Sequence, residues 1–369
     1  MANTAQTSVE LPIPLERLCP EGERARVDVQ ALRWHLEASG LHLGRGQDPL
    51  QLKGGLANLN FLIDVDGQWA VLRIAPHGPL PPGAHDRARE HRVLSRLPDA
   101  YPLAPRSLHL CEDPSVLGAP FQILEFRAGR SVVGVDMTPM ADIVAPGQVL
   151  TEAMIDLLAG LHAVDAESLG LEALGRPNGF ISRGIAGWTK RGIAAAGTSG
   201  CLTLVGEIGA WLEARADRAP KNPPTLLHCD FKLDNIVFAH DSARPVALLD
   251  WDMCTRGEPL FDVATLLSYW TEPGDPDCMH RLAQMPTAAH GFPSRAEVLD
   301  NYIARTGRNR DGFAVLRVLG LLKLGVVFLQ LHARWREGAM GENARANDFA
   351  ALGEEILAFA RDVASEKYV

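Results

Sequence analysis

Hydrophobic and polar positions follow two different spacings along the chain. Up to about residue 127, short apolar runs separated by turn residues are typical of β-strands, and two amphipathic stretches are typical of helices. The dipeptide at residues 66–67, Asp-Gly, lies between two such runs and is a strong β-hairpin signal. The pattern predicts strands at residues 60–65, 69–74, 108–111 and 120–126, and helices at residues 27–38 and 85–97.

From about residue 150 onward, the spacing is mainly that of amphipathic helices. It predicts helices at residues 154–162, 206–215, 263–270, 295–305, 313–336 and 349–363. Only one pair of short strands is expected to interrupt them, residues 236–238 and 246–249, joined by a polar turn that ends at Pro245. A small β-rich lobe followed by a larger, mainly helical lobe is an α+β fold.

The length of 369 residues exceeds what one hydrophobic core usually serves, so two lobes are expected. Residues 1–25 are polar and punctuated by prolines, and we interpret them as an N-terminal extension. The predicted N-lobe covers residues 26–127, and the predicted C-lobe covers residues 128–369.

The formal net charge of −9 argues against a nucleic acid or an anionic membrane as the partner, because neither is attracted by an acidic protein. The most apolar helical stretch, residues 315–331, contains Arg317 and Lys323, which favours a buried helix over a membrane span. We therefore expect small-molecule chemistry, with no nucleic acid and no membrane. No heptad or surface pattern specifies an oligomeric state.

The six cysteines are scattered and include no C-x-x-C pair, which is typical of reduced thiols. The first ten residues lack the basic and apolar regions of a secretory signal. Both features predict a cytoplasmic protein.

The candidate chemistry lies around the predicted hairpin of the C-lobe. Asp230 and Asn235 precede its first strand, and Asp250 ends its second strand. Strand ends and adjacent loops can hold polar groups around one small volume, so these three side chains are expected to converge. Carboxylate and amide oxygens suit Mg²⁺, and the arrangement predicts a site for magnesium and phosphate.

Phosphoryl transfer depends mainly on positioning and charge neutralisation, and this assigns the roles. Asp230 would orient an acceptor hydroxyl and take its proton, while Asn235 and Asp250 would hold Mg²⁺. Lys232 could reach the γ-phosphate as a point charge, although a surface lysine without a chemical role is an almost equal alternative. His228, beside apolar residues, is interpreted as a buried histidine that braces the loop.

The segment at residues 228–235, His-Cys-Asp-Phe-Lys-Leu-Asp-Asn, resembles the H-x-D-x-x-x-x-N catalytic loop of protein kinases, and residues 250–252 stand at their D-F-G. It is more similar to the aminoglycoside phosphotransferase and choline kinase family, whose usual loop is H-G-D. Cys229 replaces that glycine. Residues 257–264 match the family's G-x-P-x-x-D-x-A helix start, and residues 160–165 match its L-H-x-x-D helix end. We expect Asp262 to cap the helix that begins there.

The resemblance implies a protein-kinase-like fold with ATP and Mg²⁺ as cofactors. Arg73 stands where kinases carry the phosphate-binding lysine, and Glu90 where its glutamate partner is expected, although a lone Glu in that setting is more typical of an exposed charge. The backbone from Glu125 to Arg127 would meet the adenine. The residues that the resemblance places at the nucleotide are Gly54, Gly55, Asn58, Arg73, Glu90, Glu125 and Arg127.

Residues 103–106 and 111–121 resemble, within this family, the phosphotransferase-like domain fused to acyl-CoA dehydrogenases. That resemblance implies a small-molecule hydroxyl as acceptor, such as that of a hydroxyacyl-CoA. An aminoglycoside, another amine or a sugar is an alternative acceptor. Because Arg73 and Cys229 depart from the usual Lys and Gly, a catalytically silent nucleotide-binding module is a further alternative.

Overall fold

The computed structural model describes residues 11–44, 48–53, 58–75, 86–197, 200–338 and 348–365. These residues form two compact units, the first ending at Gly129 and the second beginning at Arg130. The first is built on a β-sheet and the second is mainly helical, which confirms the α+β class.

The first unit contains a five-stranded antiparallel sheet with the strand order β1-β2-β3-β5-β4. Its elements are α1 (Val29–Ala38), β1 (Leu50–Gln51), β2 (Leu59–Val65), β3 (Gln68–Ile74), α2 (Arg87–Leu94), β4 (Ser107–Cys111), α3 (Pro114–Leu117) and β5 (Phe121–Glu125). Asp66 and Gly67 both have positive φ, as a type I′ hairpin turn requires, which confirms the predicted hairpin between β2 and β3.

The core of the first unit follows from the period-2 pattern of its strands. Phe61, Ile63 and Val65 are buried in the same cluster as Leu32 and Leu36 of α1. Two aspartates fix where its longer helices begin: Asp28 accepts a hydrogen bond from Ala31 N, and Asp86 accepts one from Arg89 N, both at 2.9 Å. Helix α2 ends at Leu94, before the predicted end at residue 97.

The segment before α1 pairs with the edge of this sheet. Leu18 is buried and forms a bridge with Leu52, and Cys19 N donates to Gln51 O at 2.8 Å. Lys53 N donates to Arg17 O at 2.7 Å. The described part of the predicted N-terminal extension therefore includes a segment that is hydrogen-bonded to the edge of this sheet.

The second unit combines eight helices of the described residues with two short pairs of antiparallel strands. The helices are α4 (Pro146–His162), α5 (Phe180–Ala196), α6 (Cys201–Glu213), α7 (Leu260–Tyr269), α8 (Asp277–Leu282), α9 (Arg295–Thr306), α10 (Phe313–Arg336) and α11 (Phe349–Ala364). The strands are β6 (Thr225–Leu227), β7 (Ile236–Phe238), β8 (Pro245–Leu248) and β9 (Thr255–Gly257); β6 pairs with β9, and β7 pairs with β8.

Two features of the second unit correct the sequence predictions. The expectation of a single strand pair is wrong, because β6 and β9, three residues each, form a second pair too short to leave a periodic signal. Helices α5 and α8 are missing from the predicted helices; glycines interrupt the apolar pattern of α5, and α8 has only six residues. At Gly192 a Cβ atom would lie 2.8 Å from side-chain atoms of Val205 and Val326, so glycine allows close packing against α6 and α10.

Helix α10 is the central apolar helix of the second unit. It is the one helix among the described residues that is long and apolar enough to cross a membrane, but 78% of its most apolar window is buried inside the protein. Its two interrupting charges are also buried and hydrogen-bonded: Arg317 donates to Leu267 O at 2.6 Å, and Lys323 donates to Cys229 O at 2.6 Å. The prediction of a buried helix is confirmed.

Candidate active site

The hairpin of β7 and β8 brings the three predicted oxygen-bearing side chains together. Ile236 pairs with Leu248, and Leu249 N donates to Asn235 O at 2.8 Å, so Asn235 lies beside the residue that precedes Asp250. The side-chain amide of Asn235 donates to the backbone O of Asp230 at 2.9 Å. One β-hairpin therefore places Asp230, Asn235 and Asp250 in a single site.

Charged and polar partners surround the Asp230 carboxylate. Its Oδ1 accepts a hydrogen bond from Tyr269 OH at 3.0 Å, and its Oδ2 lies 3.1 Å from Lys232 Nζ. Lys323 Nζ lies 4.0 Å from Oδ1. Burial acts to raise the pKa of Asp230, but the ammonium groups of Lys232 and Lys323 lower it overall, so this carboxyl group is ionised at neutral pH.

Lys232 belongs to the same network. Its side chain is only 17% exposed, so it is not an exposed surface lysine, while its chemical role stays a prediction. Burial acts to lower its pKa, but the charge of Asp230 keeps that pKa well above its usual value. The ammonium group therefore carries its charge beside the carboxylate that would face an acceptor.

Asp234 was not among the predicted site residues. Its carboxyl group lies 3.9 Å from Lys232 Nζ, and its buried Oδ1 has no hydrogen-bond partner among the described residues. Burial raises the pKa of Asp234 to about 6, and the charges of Asp230 and Asp250 add to that rise. A cation in this site would relieve the repulsion among the three carboxylates.

The donor set fits Mg²⁺. Asn235 and Asp250 offer hard oxygen atoms, and a buried carboxylate oxygen lies nearby on Asp234. The described residues contain no group of three or more His, Cys, Asp or Glu side chains able to hold a metal by themselves. Magnesium is usually held by one or two protein ligands together with substrate phosphates and water. Asn235 and Asp250 would therefore be enough protein ligands for one Mg²⁺ ion.

The turn at Cys229, in the loop that precedes β7, has the backbone conformation that glycine adopts most easily. Cys229 has a φ of +65°, in the left-handed region that costs a non-glycine residue about 1–2 kcal/mol. Its N–H donates to Asp262 Oδ1 at 2.7 Å, and its carbonyl accepts from Lys323 Nζ at 2.6 Å. These contacts hold the left-handed turn with cysteine in place of glycine.

Asp262 anchors this loop rather than capping a helix. Helix α7 has no side-chain capping bond, so the predicted cap is wrong. The Asp262 carboxylate instead accepts hydrogen bonds from the backbone N–H groups of His228 and Cys229, both at 2.7 Å. His162 Nε2 lies 3.2 Å from it, and His162 Nδ1 lies 2.7 Å from Tyr302 OH. The L-H-x-x-D and G-x-P-x-x-D-x-A segments thus meet behind the loop.

His228 braces the loop, as predicted. It is fully buried, and its Nε2 lies 2.8 Å from Leu249 O while its Nδ1 accepts a hydrogen bond from Asp230 N at 3.3 Å. Burial lowers the pKa of His228, so the ring is neutral and donates through Nε2. This bond ties the loop to the end of β8, next to Asp250.

The first unit contains a second charged network. Arg73 Nη1 donates to Glu90 Oε1 at 2.9 Å, and Arg87 donates both to Glu90 Oε2 and to Asn58 Oδ1. Glu90 is fully buried, so the alternative of an exposed charge is wrong. Arg73 thus contacts Glu90 directly, and Arg87, which is not among the predicted residues, links Glu90 to Asn58.

Glu125 and Arg127, two further predicted nucleotide residues, contact each other. Glu125 ends β5, and its Oε2 accepts hydrogen bonds from Arg106 N at 3.0 Å and from Arg127 Nη2 at 2.9 Å. The adenine contact of this segment stays a prediction. Gly54 and Gly55 lie outside the described residues.

Sequence reasoning missed Tyr269, Lys323 and Arg87 because their contacts join distant parts of the chain or carry no motif. One signal was available. Lys323 stands within the most apolar helix, and a charge on a buried helix must have polar partners. A lysine in so apolar a helix predicts a buried polar contact, but it does not predict which loop Lys323 contacts.

Comparison with known proteins agrees with this geometry. The sequence model of the Phosphotransferase enzyme family matches residues 49–299. Acyl-CoA dehydrogenase family member 11 of Rattus norvegicus is 30% identical over 306 residues, which are 81% of this chain and 38% of that protein. The chain thus spans well under half the length of this relative.

Solved structures of phosphotransferases share the fold. A candidate aminoglycoside phosphotransferase from Ralstonia eutropha JMP134 has a TM-score of 0.72 at 25% identity and covers 92% of this chain and 99% of its own. Aminoglycoside phosphotransferase APH(4)-Ia, in a complex with AMP-PNP and hygromycin B, has a TM-score of 0.60 at 17% identity over 91% of this chain and 99% of its own. The protein-kinase-like fold is confirmed, and the chain belongs to the Phosphotransferase enzyme family.

Proposed function

We propose that this protein is an ATP- and Mg²⁺-dependent kinase that phosphorylates a hydroxyl group of a small molecule. The observation that carries the proposal is the environment of Asp230, an ionised carboxylate held by Tyr269 and Lys232 next to the oxygen donors of Asn235 and Asp250. The first unit adds the buried Arg73 and Glu90 pair.

Asp230 is proposed to orient the acceptor hydroxyl by accepting its hydrogen bond. Each carboxylate oxygen can accept more than one hydrogen bond, so the contact with Tyr269 leaves capacity for the acceptor. Because its pKa is lowered, Asp230 is a weak base that takes the proton late, as the hydroxyl oxygen bonds to phosphorus and becomes acidic. Orientation is then its larger contribution to the rate.

Lys232 is proposed to neutralise charge on the transferring phosphoryl group. Its ammonium group lies 3.1 Å from Asp230 Oδ2, and a flexible stem allows it to turn toward a phosphate oxygen. Magnesium held through Asn235 and Asp250 would supply further neutralisation of phosphate charge.

Arg73 is proposed to bind phosphate oxygens of the nucleotide. Glu90 fixes the guanidinium through Nη1, and a planar guanidinium can bind phosphate in a bidentate manner. Arginine in place of lysine is therefore compatible with phosphate binding, which favours an active kinase over a silent module. The family member APH(4)-Ia, which shares the fold, was crystallised with the ATP analogue AMP-PNP.

For the acceptor, we propose a hydroxyl group on an acyl chain, such as that of a hydroxyacyl-CoA. The support is the similarity to acyl-CoA dehydrogenase family member 11, of which this chain matches only a part. An aminoglycoside is the second candidate, because hygromycin B is bound in the related structure of APH(4)-Ia.

A screen of ADP release with Mg-ATP tests the proposal, with hydroxyacyl-CoAs, aminoglycosides, choline-like amines and sugars as acceptors. We expect turnover with a hydroxyacyl-CoA and not with the others, and turnover only with an aminoglycoside would overturn the proposed acceptor. A silent module would release no ADP with any acceptor. It would still be stabilised by Mg-ATP, by about 2.7 kcal/mol at 100 times the Kd.

A further inference from the structure

We propose that Lys323 is a positioning residue for Asp230. In this proposal the Lys323 ammonium group holds the left-handed turn at Cys229 and thereby sets the direction of the Asp230 side chain. The inference rests on the proposed function of Asp230 and adds a residue from a helix that carries none of the family's motifs.

The geometry joins the middle of α10 to the catalytic loop. Lys323 Nζ donates to Cys229 O at 2.6 Å and lies 4.0 Å from Asp230 Oδ1. The Lys323 side chain is only 5% exposed. Both of these contacts of the ammonium group go to adjacent residues of one loop, so the cation and the loop are placed together.

The turn needs such an anchor because its conformation is unfavourable for cysteine. Cys229 has a φ of +65°, and its peptide groups are held from two helices. Asp262 of α7 accepts from the N–H, and Lys323 of α10 donates to the carbonyl. Because Asp230 follows that carbonyl directly, a rotation of this peptide would displace the carboxylate that is proposed to orient the acceptor.

A purely structural role is the competing explanation, and α10 offers a matched control. Arg317 is also a buried cation on α10, but it donates to Leu267 O rather than to the loop. Loss of either cation leaves a buried carbonyl without its donor, so both changes should destabilise the fold. Only loss of Lys323 should displace Asp230.

The experiment compares Lys323→Met, Lys323→Arg and Arg317→Met under saturating Mg-ATP and acceptor. We expect Lys323→Met to lower kcat about 10- to 100-fold with the KM for ATP changed less than about 3-fold. Lys323→Arg should recover part of the loss, and Arg317→Met should keep kcat within about 3-fold. Unchanged kcat in folded Lys323→Met, or an equal loss in Arg317→Met, would overturn the proposal.

A second measurement does not depend on activity. The denaturant midpoints of Lys323→Met, Asp230→Asn and the double variant form a cycle, in which we expect the double shift to be smaller than the sum of the single shifts. An additive cycle would contradict the contact. If Lys323→Met does not fold, Lys323→Gln, which keeps an N–H donor, takes its place. Absence of phosphoryl transfer by the unaltered protein would refute the proposed function and leave the result of the cycle standing.

Discussion

The two charged networks that contain the predicted site residues have opposite balances of charge. In the first unit, Arg73 and Arg87 surround one carboxylate, that of Glu90, so these three side chains have a net charge of 2 − 1 = +1. In the second unit, Lys232 and Lys323 lie among three carboxylates, those of Asp230, Asp234 and Asp250, with a formal net charge of 2 − 3 = −1.

This difference corresponds to two kinds of ligand. A network with excess positive charge suits the phosphates of a nucleotide, and one with excess carboxylates suits a divalent cation. Burial differs as well: Glu90 is fully buried, whereas the Asp230 side chain is 18% exposed. We infer that the first network is fixed in advance, and that the second leaves its carboxylates accessible to an acceptor and a metal.

Loss of Glu90 should have the largest effect on stability. Glu90→Ala leaves two buried guanidinium groups without their shared carboxylate, and we expect a loss of about 3–5 kcal/mol in the free energy of unfolding. Asp99→Ala is the control, because Asp99 is 63% exposed where it pairs with Arg106 and should contribute no more than about 1 kcal/mol. Equal losses in urea titrations of both variants would remove the distinction between a buried network and a surface pair.

Loss of the Asp250 side chain should weaken the binding of ATP in the presence of Mg²⁺. We expect Asp250→Ala to weaken the affinity for Mg-ATP by about 10- to 100-fold, because magnesium would lose the carboxylate proposed as its ligand. Calorimetric titrations with and without Mg²⁺ measure this effect, and the affinity for ATP without metal should change little. An unchanged dependence on Mg²⁺ would exclude Asp250 from the metal site.

Substitutions of Cys229 test whether the left-handed turn before Asp230 is needed for stability and activity. Cys229→Val places a β-branched residue at positive φ and should cost about 1–3 kcal/mol together with activity. Cys229→Gly should stay within about 1 kcal/mol of the parent and keep activity, because glycine adopts this conformation easily. If valine is tolerated as well as glycine, the anchored left-handed turn is not needed for function.

His228 makes stability depend on pH. Its pKa is lowered in the folded protein, so below the unfolded value of about 6.5 the unfolded chain binds a proton that the folded chain resists. Stability should therefore fall as pH drops below about 6.5, by at most about 1.4 kcal/mol per pH unit from this one group. Denaturant titrations between pH 7.5 and about 5.5 should show a weaker slope for His228→Gln. An identical slope would mean that His228 does not titrate differently on folding.

The parts of the fold that could be predicted from the sequence are those held by contacts between residues close together in the chain. The β2–β3 and β7–β8 hairpins have local turn and strand signals, and the second of them is sufficient to bring Asn235 and Asp250 together. Contacts between residues that are far apart in the sequence have no local signal of this kind. Tyr269 reaches Asp230 across 39 residues, and Lys323 reaches Cys229 across 94.

Asp262 shows why a local pattern can mislead. An aspartate in the first turn of a helix predicts a cap or a favourable charge near the helix start. In the structure its two carboxylate oxygens instead accept hydrogen bonds from the backbone N–H groups of His228 and Cys229. Tertiary hydrogen bonds replaced the local one, because the loop offers two buried donors that must be satisfied.

Substitution of Asp230 tests the central claim most directly. Asp230→Asn keeps the size of the side chain and its bond to Tyr269, and it removes the charge that is proposed to orient and deprotonate the acceptor. In parallel measurements of kcat and of Mg-ATP affinity, we expect kcat to fall about 10²- to 10⁴-fold and the Kd for Mg-ATP to change less than about 3-fold. Full turnover in this variant would contradict the assignment of Asp230 as the residue that faces the acceptor hydroxyl.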